Sequence, residues 1–174
     1  MAWNNGPLVL YHGCDDRSAA TINKNGVQLT KCKRLADFGH GFYTTTNLGQ
    51  AKNWANRNCQ LLLRSGKAAV ATVIRFDVDR DKLANLDFLG FVSENSNPDF
   101  WNFVRTCRQS QPPRQHRRSG NAYYDVVFGP VSLWPQTLVI KDCDQISFHT
   151  SQGITCLGAS RTEMQRTSEQ PLFL

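Results

Sequence analysis

The chain has 174 residues, of which 40% are hydrophobic, 10% aromatic and 20% charged. This excludes a disordered polymer and a disulfide-stapled miniature, because a chain near 150 residues removes about 70% of its unfolded surface from water and forms a core unaided. The net charge of +6 points to a polyanionic partner until it is located: residues 105–118 hold five Arg and no acid, leaving 15 basic against 14 acidic residues elsewhere.

Leu8-Val9-Leu10-Tyr11-His12 is a short β-prone run closed by Gly13, which predicts His12 at a strand end beside a turn. Asp15 and Asp16 are predicted to cap a helix carrying Ala19, Ala20 and Ile22 on one face and stopping at Asn25-Gly26. A Lys/Arg-rich connection leads to Asp37-Phe38-Gly39-His40-Gly41-Phe42-Tyr43 and an extended Thr44-Thr45-Thr46. Asn47 then opens a helix with Ala51, Trp54, Ala55 and Cys59 at helical spacing. Residues 68–78 alternate as a buried, central strand, and Phe100-Trp101-Asn102-Phe103-Val104 predicts an aromatic helix running into the Arg segment, itself read as an exposed loop over 105–120. Tyr124-Asp125-Val126-Val127-Phe128, Thr137-Leu138-Val139-Ile140 and Gln145-Ile146-Ser147-Phe148-His149 predict three further strands. Separated helices and short strands without strict alternation define an α+β fold. The expected organisation is one domain over 1–157 and a polar C-terminal tail over 158–174.

Cys14, Cys32, Cys59, Cys107, Cys143 and Cys156 are scattered, with no Cys-x-x-Cys pair and no His pair at zinc-finger spacing, so no metal is expected. Their low density and an opening Met1–Pro7 without basic and apolar regions predict reduced thiols in an intracellular, cytoplasmic or nuclear setting, with delivery as a toxin or effector left open. No apolar run reaches the roughly 20 residues of a membrane helix, so no membrane partner is expected. Asp37-Phe38-Gly39 stands without the other kinase motifs, and Gly39-His40-Gly41 precedes a strand rather than opening a helix, which makes it a poor phosphate cradle. Its glycines instead allow a ligand to approach the main chain.

Taken together, Leu10-Tyr11-His12-Gly13, Gly39-His40-Gly41-Phe42-Tyr43 followed by the helix through Ala51-Lys52-Asn53-Trp54-Ala55, and the late strand beginning at Gln145 resemble the three motifs of the ADP-ribosyltransferase superfamily. The resemblance is to its His-Tyr-Glu/Asp/Gln class, which includes poly(ADP-ribose) polymerase and diphtheria toxin catalytic domains, and to a little-characterised bacterial and fungal branch of it. It spans roughly residues 8–157 and implies a split β-sandwich of two small sheets flanked by helices, with NAD bound as co-substrate in a cleft between the sheets. It further implies that His12 hydrogen-bonds the adenosine ribose, Gly13 main-chain groups pair with the nicotinamide carboxamide, Tyr43 stacks on the nicotinamide ring, and Phe42 and Trp54 line or support that side.

The implied activity is mono-ADP-ribosyl transfer to a protein or nucleic-acid acceptor, docked by Arg105, Arg108, Arg114, Arg117 and Arg118, with His12, Tyr43 and Gln145 as the catalytic set. Gln145 departs from the Glu of many relatives. A fixed charge at about 4 Å and an effective dielectric near 20 stabilises a developing oxocarbenium ion by about 4 kcal/mol, roughly a thousandfold in rate. Gln145 offers a carbonyl to orient a ribose hydroxyl and an NH₂ to position an acceptor, and Gln145→Glu is expected to raise NAD hydrolysis. The alternatives are an inactive NAD or ADP-ribose binding module and a nucleic-acid-binding protein using its Arg loop.

Overall fold

A computed structural model describes residues 8–32, 36–92, 97–109 and 123–174. Two compact units divide the chain, the first built from residues 1–26, 48–85 and 155–174, the second from 27–47 and 86–154. The fold is α+β with two small sheets flanked by helices.

In the first unit, β1 (Leu8–Asp15), β3 (Ala71–Val78) and β7 (Arg161–Gln165) form an antiparallel sheet in the order β1-β3-β7. β3 is central as its alternation predicts. β1 runs through Gly13 instead of turning there, pairing His12 with Ile74 and Gly13 with Val73. Helix α1 (Asp16–Asn25) starts on Asp15, whose carboxylate accepts from the Arg17 and Ser18 amides, and ends at Gly26 with φ 72°. The sequence contains both signals in full: an acceptor for orphan amide donors and a residue without Cβ in the left-handed region. Helix α2 (Leu48–Arg64) lays Ala51, Ala55 and Cys59 on Ala69, Ala71 and Val73. The short helix α3 (Arg80–Ala84) follows β3, capped by Asp79.

The predicted C-terminal tail is structured. It supplies β7, Pro171 O accepts from the Ala71 amide, and Asn56 brackets Phe173 through Phe173 N–H and C=O at 2.7 and 2.9 Å. Phe173 enters the α2 cluster at 8% exposure. Phe173, with Leu172 beside it and backbone bonds to Ala71, ties down a segment whose composition is largely polar.

In the second unit, β2 (Phe42–Thr44), β6 (Val139–Phe148), β5 (Val126–Ser132) and β4 (Phe88–Gly90) lie in the order β2-β6-β5-β4, antiparallel except for β4 beside β5. The two strands predicted over 137–149 are one, β6, which carries Asp142 at φ 56° along its length. β5 likewise continues through Gly129-Pro130, and Gly129 makes room for packing rather than a turn, since a Cβ there would lie 3.0 Å from Phe38 Cζ and 3.3 Å from Phe91 Cβ. Helix α4 (Pro98–Gln109) buries Phe100, Trp101, Val104 and Cys107. Arg105 and Arg108 are therefore helical, not part of a loop; Arg114, Arg117 and Arg118 lie outside the described residues. The one-turn helix α5 (Ser151–Ile154) follows β6. No helix among the described residues is long and apolar enough to cross a membrane.

Candidate functional site

In the first unit the candidate residues sit on β1 and α2. His12 is half-buried. Gly13 is buried with its missing side chain facing α2: a Cβ there would interpenetrate the Ala51 carbonyl and lie 2.7 Å from Ala55 N. Its carbonyl accepts from Asn58 Nδ2 at 3.2 Å. The glycine has a packing reason that holds with or without a ligand, since only hydrogen in place of Cβ lets strand and helix backbones approach this closely. Trp54 is half-buried on α2, with the Arg57 guanidinium 5.3 Å from its ring centroid.

The second unit brings Tyr43 and Gln145 onto one face of a sheet. Tyr43 pairs with Ser147 across β2 and β6, and Gln145 lies two positions before Ser147, so all three side chains share a face. Phe42, paired with Phe148, takes the opposite face and is 4% exposed. The Tyr43 hydroxyl donates to Gly39 O at 2.8 Å and accepts from Phe38 N at 3.0 Å. Its ring lies against Phe38 at 6.4 Å and edge-on to His149 at 6.3 Å. Burial holds the phenol well above its ordinary pKa, so Tyr43 presents a neutral ring with an anchored hydroxyl.

The glycine-rich motif before β2 is built for its own interior. Gly39 has φ 85°. A Cβ on Gly41 would lie 2.7 Å from His149 Nδ1 and 2.8 Å from Phe148 O, so the group that approaches the main chain there is His149 rather than a ligand. The His40 carbonyl is an acceptor only, so His149 Nδ1 carries the proton of their 2.8 Å bond, and its Nε2 meets Ser147 Oγ at 2.8 Å.

Asp37 joins these strands to α4. Its carboxylate is 2% exposed and accepts five hydrogen bonds: Arg108 Nη2 and Nε at 2.6 and 3.0 Å and Ser132 Oγ at 2.6 Å on Oδ1, Ser132 N at 2.8 Å and Gln145 Nε2 at 2.7 Å on Oδ2. Gln145 Nε2 also donates to Pro130 O at 2.8 Å. Both amide hydrogens of Gln145 are thereby engaged, which removes the NH₂ as a group for positioning an acceptor. Asp144 meets different partners, taking Thr45 Oγ1 at 2.5 Å, Thr46 N at 2.9 Å and the Thr46 hydroxyl. Neighbours on a strand point to opposite faces, and Asp144 adds no charge on the Gln145 side.

This arrangement reverses the expected outcome of Gln145→Glu. A carboxylate oxygen would replace an amide donor against two acceptors, the Asp37 carboxylate and the Pro130 carbonyl, so the change adds repulsion before it adds any useful charge.

No sequence motif marks Asp37 or Ser132 as a site residue, or Arg108 as the partner of Asp37. Nothing in Asp37-Phe38-Gly39 or its neighbours signals that the Asp is buried, because its partners come from α4, β5 and β6. Arg108 did carry a signal: it follows Phe100 and Val104 at helical spacing, and an Arg on an apolar helix face needs either a polar partner or a path to solvent. None of the six cysteines is in a disulfide. Burial pushes Cys14 far up and Cys32 and Cys59 up to about 11, which keeps these thiols protonated and poor nucleophiles at neutral pH. Among the described residues no group of three or more His, Cys, Asp or Glu has the form of a metal site.

Residues 8–134 match a family described as a protein of unknown function, DUF3990, and the chain belongs to that family. The matched span holds His12, Gly13, Asp37, Tyr43, Trp54, Arg108 and Ser132, and ends before Gln145. No curated protein matches the chain.

Proposed function

We propose that this chain is an NAD-dependent mono-ADP-ribosyltransferase, which breaks the bond between nicotinamide and ribose and passes ADP-ribose to a macromolecular acceptor. The supporting observation is that Tyr43 and Gln145, distant in sequence and each singled out by a motif, share one face of adjacent strands. The residues suit the parts the resemblance implies. A neutral Tyr43 ring recognises a flat heterocycle without competing charge, and its fixed hydroxyl spares the entropy of ordering it on binding. His12 can donate to and accept from a ribose hydroxyl. Gln145 contributes an acceptor oxygen from an oriented dipole, stabilisation of the kind that helps a developing cation without reorganising.

Incubating the folded protein with NAD labelled in its adenosine half, in the presence of cell lysate, tests this. Release of nicotinamide and transfer of label are expected, both lost in Tyr43→Ala and His12→Ala. Absence of release and transfer from folded protein refutes catalysis. One observation favours a second reading: position 145 lacks a fixed charge and its NH₂ is occupied, as suits a binding module that holds NAD or ADP-ribose without turning it over. Saturable binding without nicotinamide release identifies that case. Docking of the acceptor draws less on Arg108 than the charge count implies, because its guanidinium is committed to Asp37.

A further inference from the structure

We infer that Asp37 is a positioning residue for Gln145, holding its carboxamide in the single orientation that leaves Oε1 to face substrate; this rests on the transferase reading above. Asp37 Oδ2 and Pro130 O are both acceptors, at 2.7 and 2.8 Å from Gln145 Nε2. A flipped amide would set Oε1 against both, so only one orientation is allowed. Asp37 cannot swing away to relax this, because Arg108 and Ser132 hold its two oxygens with four further bonds. Among the described residues Gln145 Oε1 has no hydrogen-bond partner, and the side chain is 7% exposed. What position 145 offers is therefore one shielded acceptor, matched to a donor such as a ribose hydroxyl.

A purely structural clamp between α4, β5 and β6 would show the same bonds, so the test must read Gln145 itself. In the wild-type chain the Gln145 side-chain NH₂, assigned by its loss in Gln145→Ala, is expected to exchange with solvent at least about tenfold more slowly than exposed Gln amides, as a doubly bonded buried group does. Ser132→Ala, which removes a donor to Asp37 and none to Gln145, is expected to keep that protection. Nicotinamide release is then compared across wild type, Asp37→Asn, Gln145→Ala and the double variant.

Asp37→Asn is expected to lower kcat about tenfold to a hundredfold, the cost of misplacing a group near the chemistry, with KM changed by less than about threefold. In the Gln145→Ala background it is expected to lower kcat no further. Losses that multiply in the double variant overturn the inference. So does a fast-exchanging wild-type amide, which decides the matter even where Asp37→Asn does not fold. A protected amide in a protein that releases no nicotinamide removes the transferase reading and reduces Asp37 to a clamp. Release with an unprotected amide removes the positioning role alone.

Discussion

The two units hold their candidate residues by opposite means. Around Gly13 the first unit uses absence: a hydrogen for a side chain, then Ala51, Ala55 and Cys59, so that a strand and a helix meet backbone to backbone. Around Gln145 the second unit uses a buried acid, a guanidinium, a hydroxyl and an amide that satisfy one another. Close packing tolerates neither loss nor gain of volume well, whereas a buried polar cluster fails through whichever member is left unpaired. Perturbing each unit by its own weakness separates the two designs.

Asp37→Ala should have the largest effect, about 4 kcal/mol of destabilisation in urea titration, because it removes at once the carboxylate that accepts from Arg108, from the Ser132 hydroxyl and amide, and from Gln145 Nε2. Gly13→Ala should follow at about 3 kcal/mol, the upper end for overpacking, because the added methyl meets backbone that cannot rotate aside. If Gly13→Ala proves neutral, the tight strand-helix contact is not what the glycine serves. Gln145→Glu should cost about 2 kcal/mol by facing acceptors with an acceptor, with nicotinamide release falling rather than rising; recovery of stability as the pH is lowered would identify the carboxylate as the cause. Asp15→Ala, removing the cap of α1, should cost about 1 kcal/mol and leave the Gln145 amide signal of the second unit unmoved.

The last contrast is silent at neutral pH. Burial raises the Cys59 and Cys32 thiols from 9.0 to about 11, with Asp15 and Asp16 adding to the effect at Cys59. A pKa raised by folding means the protonated thiol is favoured in the native state, so this stability is complete below about pH 9 and is lost as pH rises through 11. Denaturation midpoints should hold steady from pH 7 to 9 and then fall, less steeply in Cys59→Ala. A flat profile to pH 11 would show that these thiols ionise without cost in the folded chain.

Local chemistry was legible wherever one residue acts on its own neighbours. Asp15 and Gly26 bound α1, the alternation over 68–78 makes β3 central, and the aromatic run makes α4. Boundaries governed by distant partners were not. β1 and β5 continue through glycines that read as stops, because Gly13 and Gly129 lack a Cβ for the sake of α2 and of Phe38, not for a turn. The segment after Gly158 reads as solvent-loving, yet Phe173 and β7 tie it to the first unit. Of the candidate site, the sequence pointed to Tyr43 and Gln145 but not to their shared face, and it passed over the acid that binds Gln145.

By itself the amino-acid order determined the class of fold, the identity of most elements and the residues worth suspecting, since propensity, capping and periodicity operate over a few positions. Only the tertiary structure decided what the suspects can do. Which hydrogen-bonding groups of Gln145 are engaged depends on Asp37, from the segment before β2, and on Pro130 in β5, both brought beside β6 by the fold of the second unit. Hydrogen-bond partners are chosen by proximity in space, and no local pattern encodes that choice.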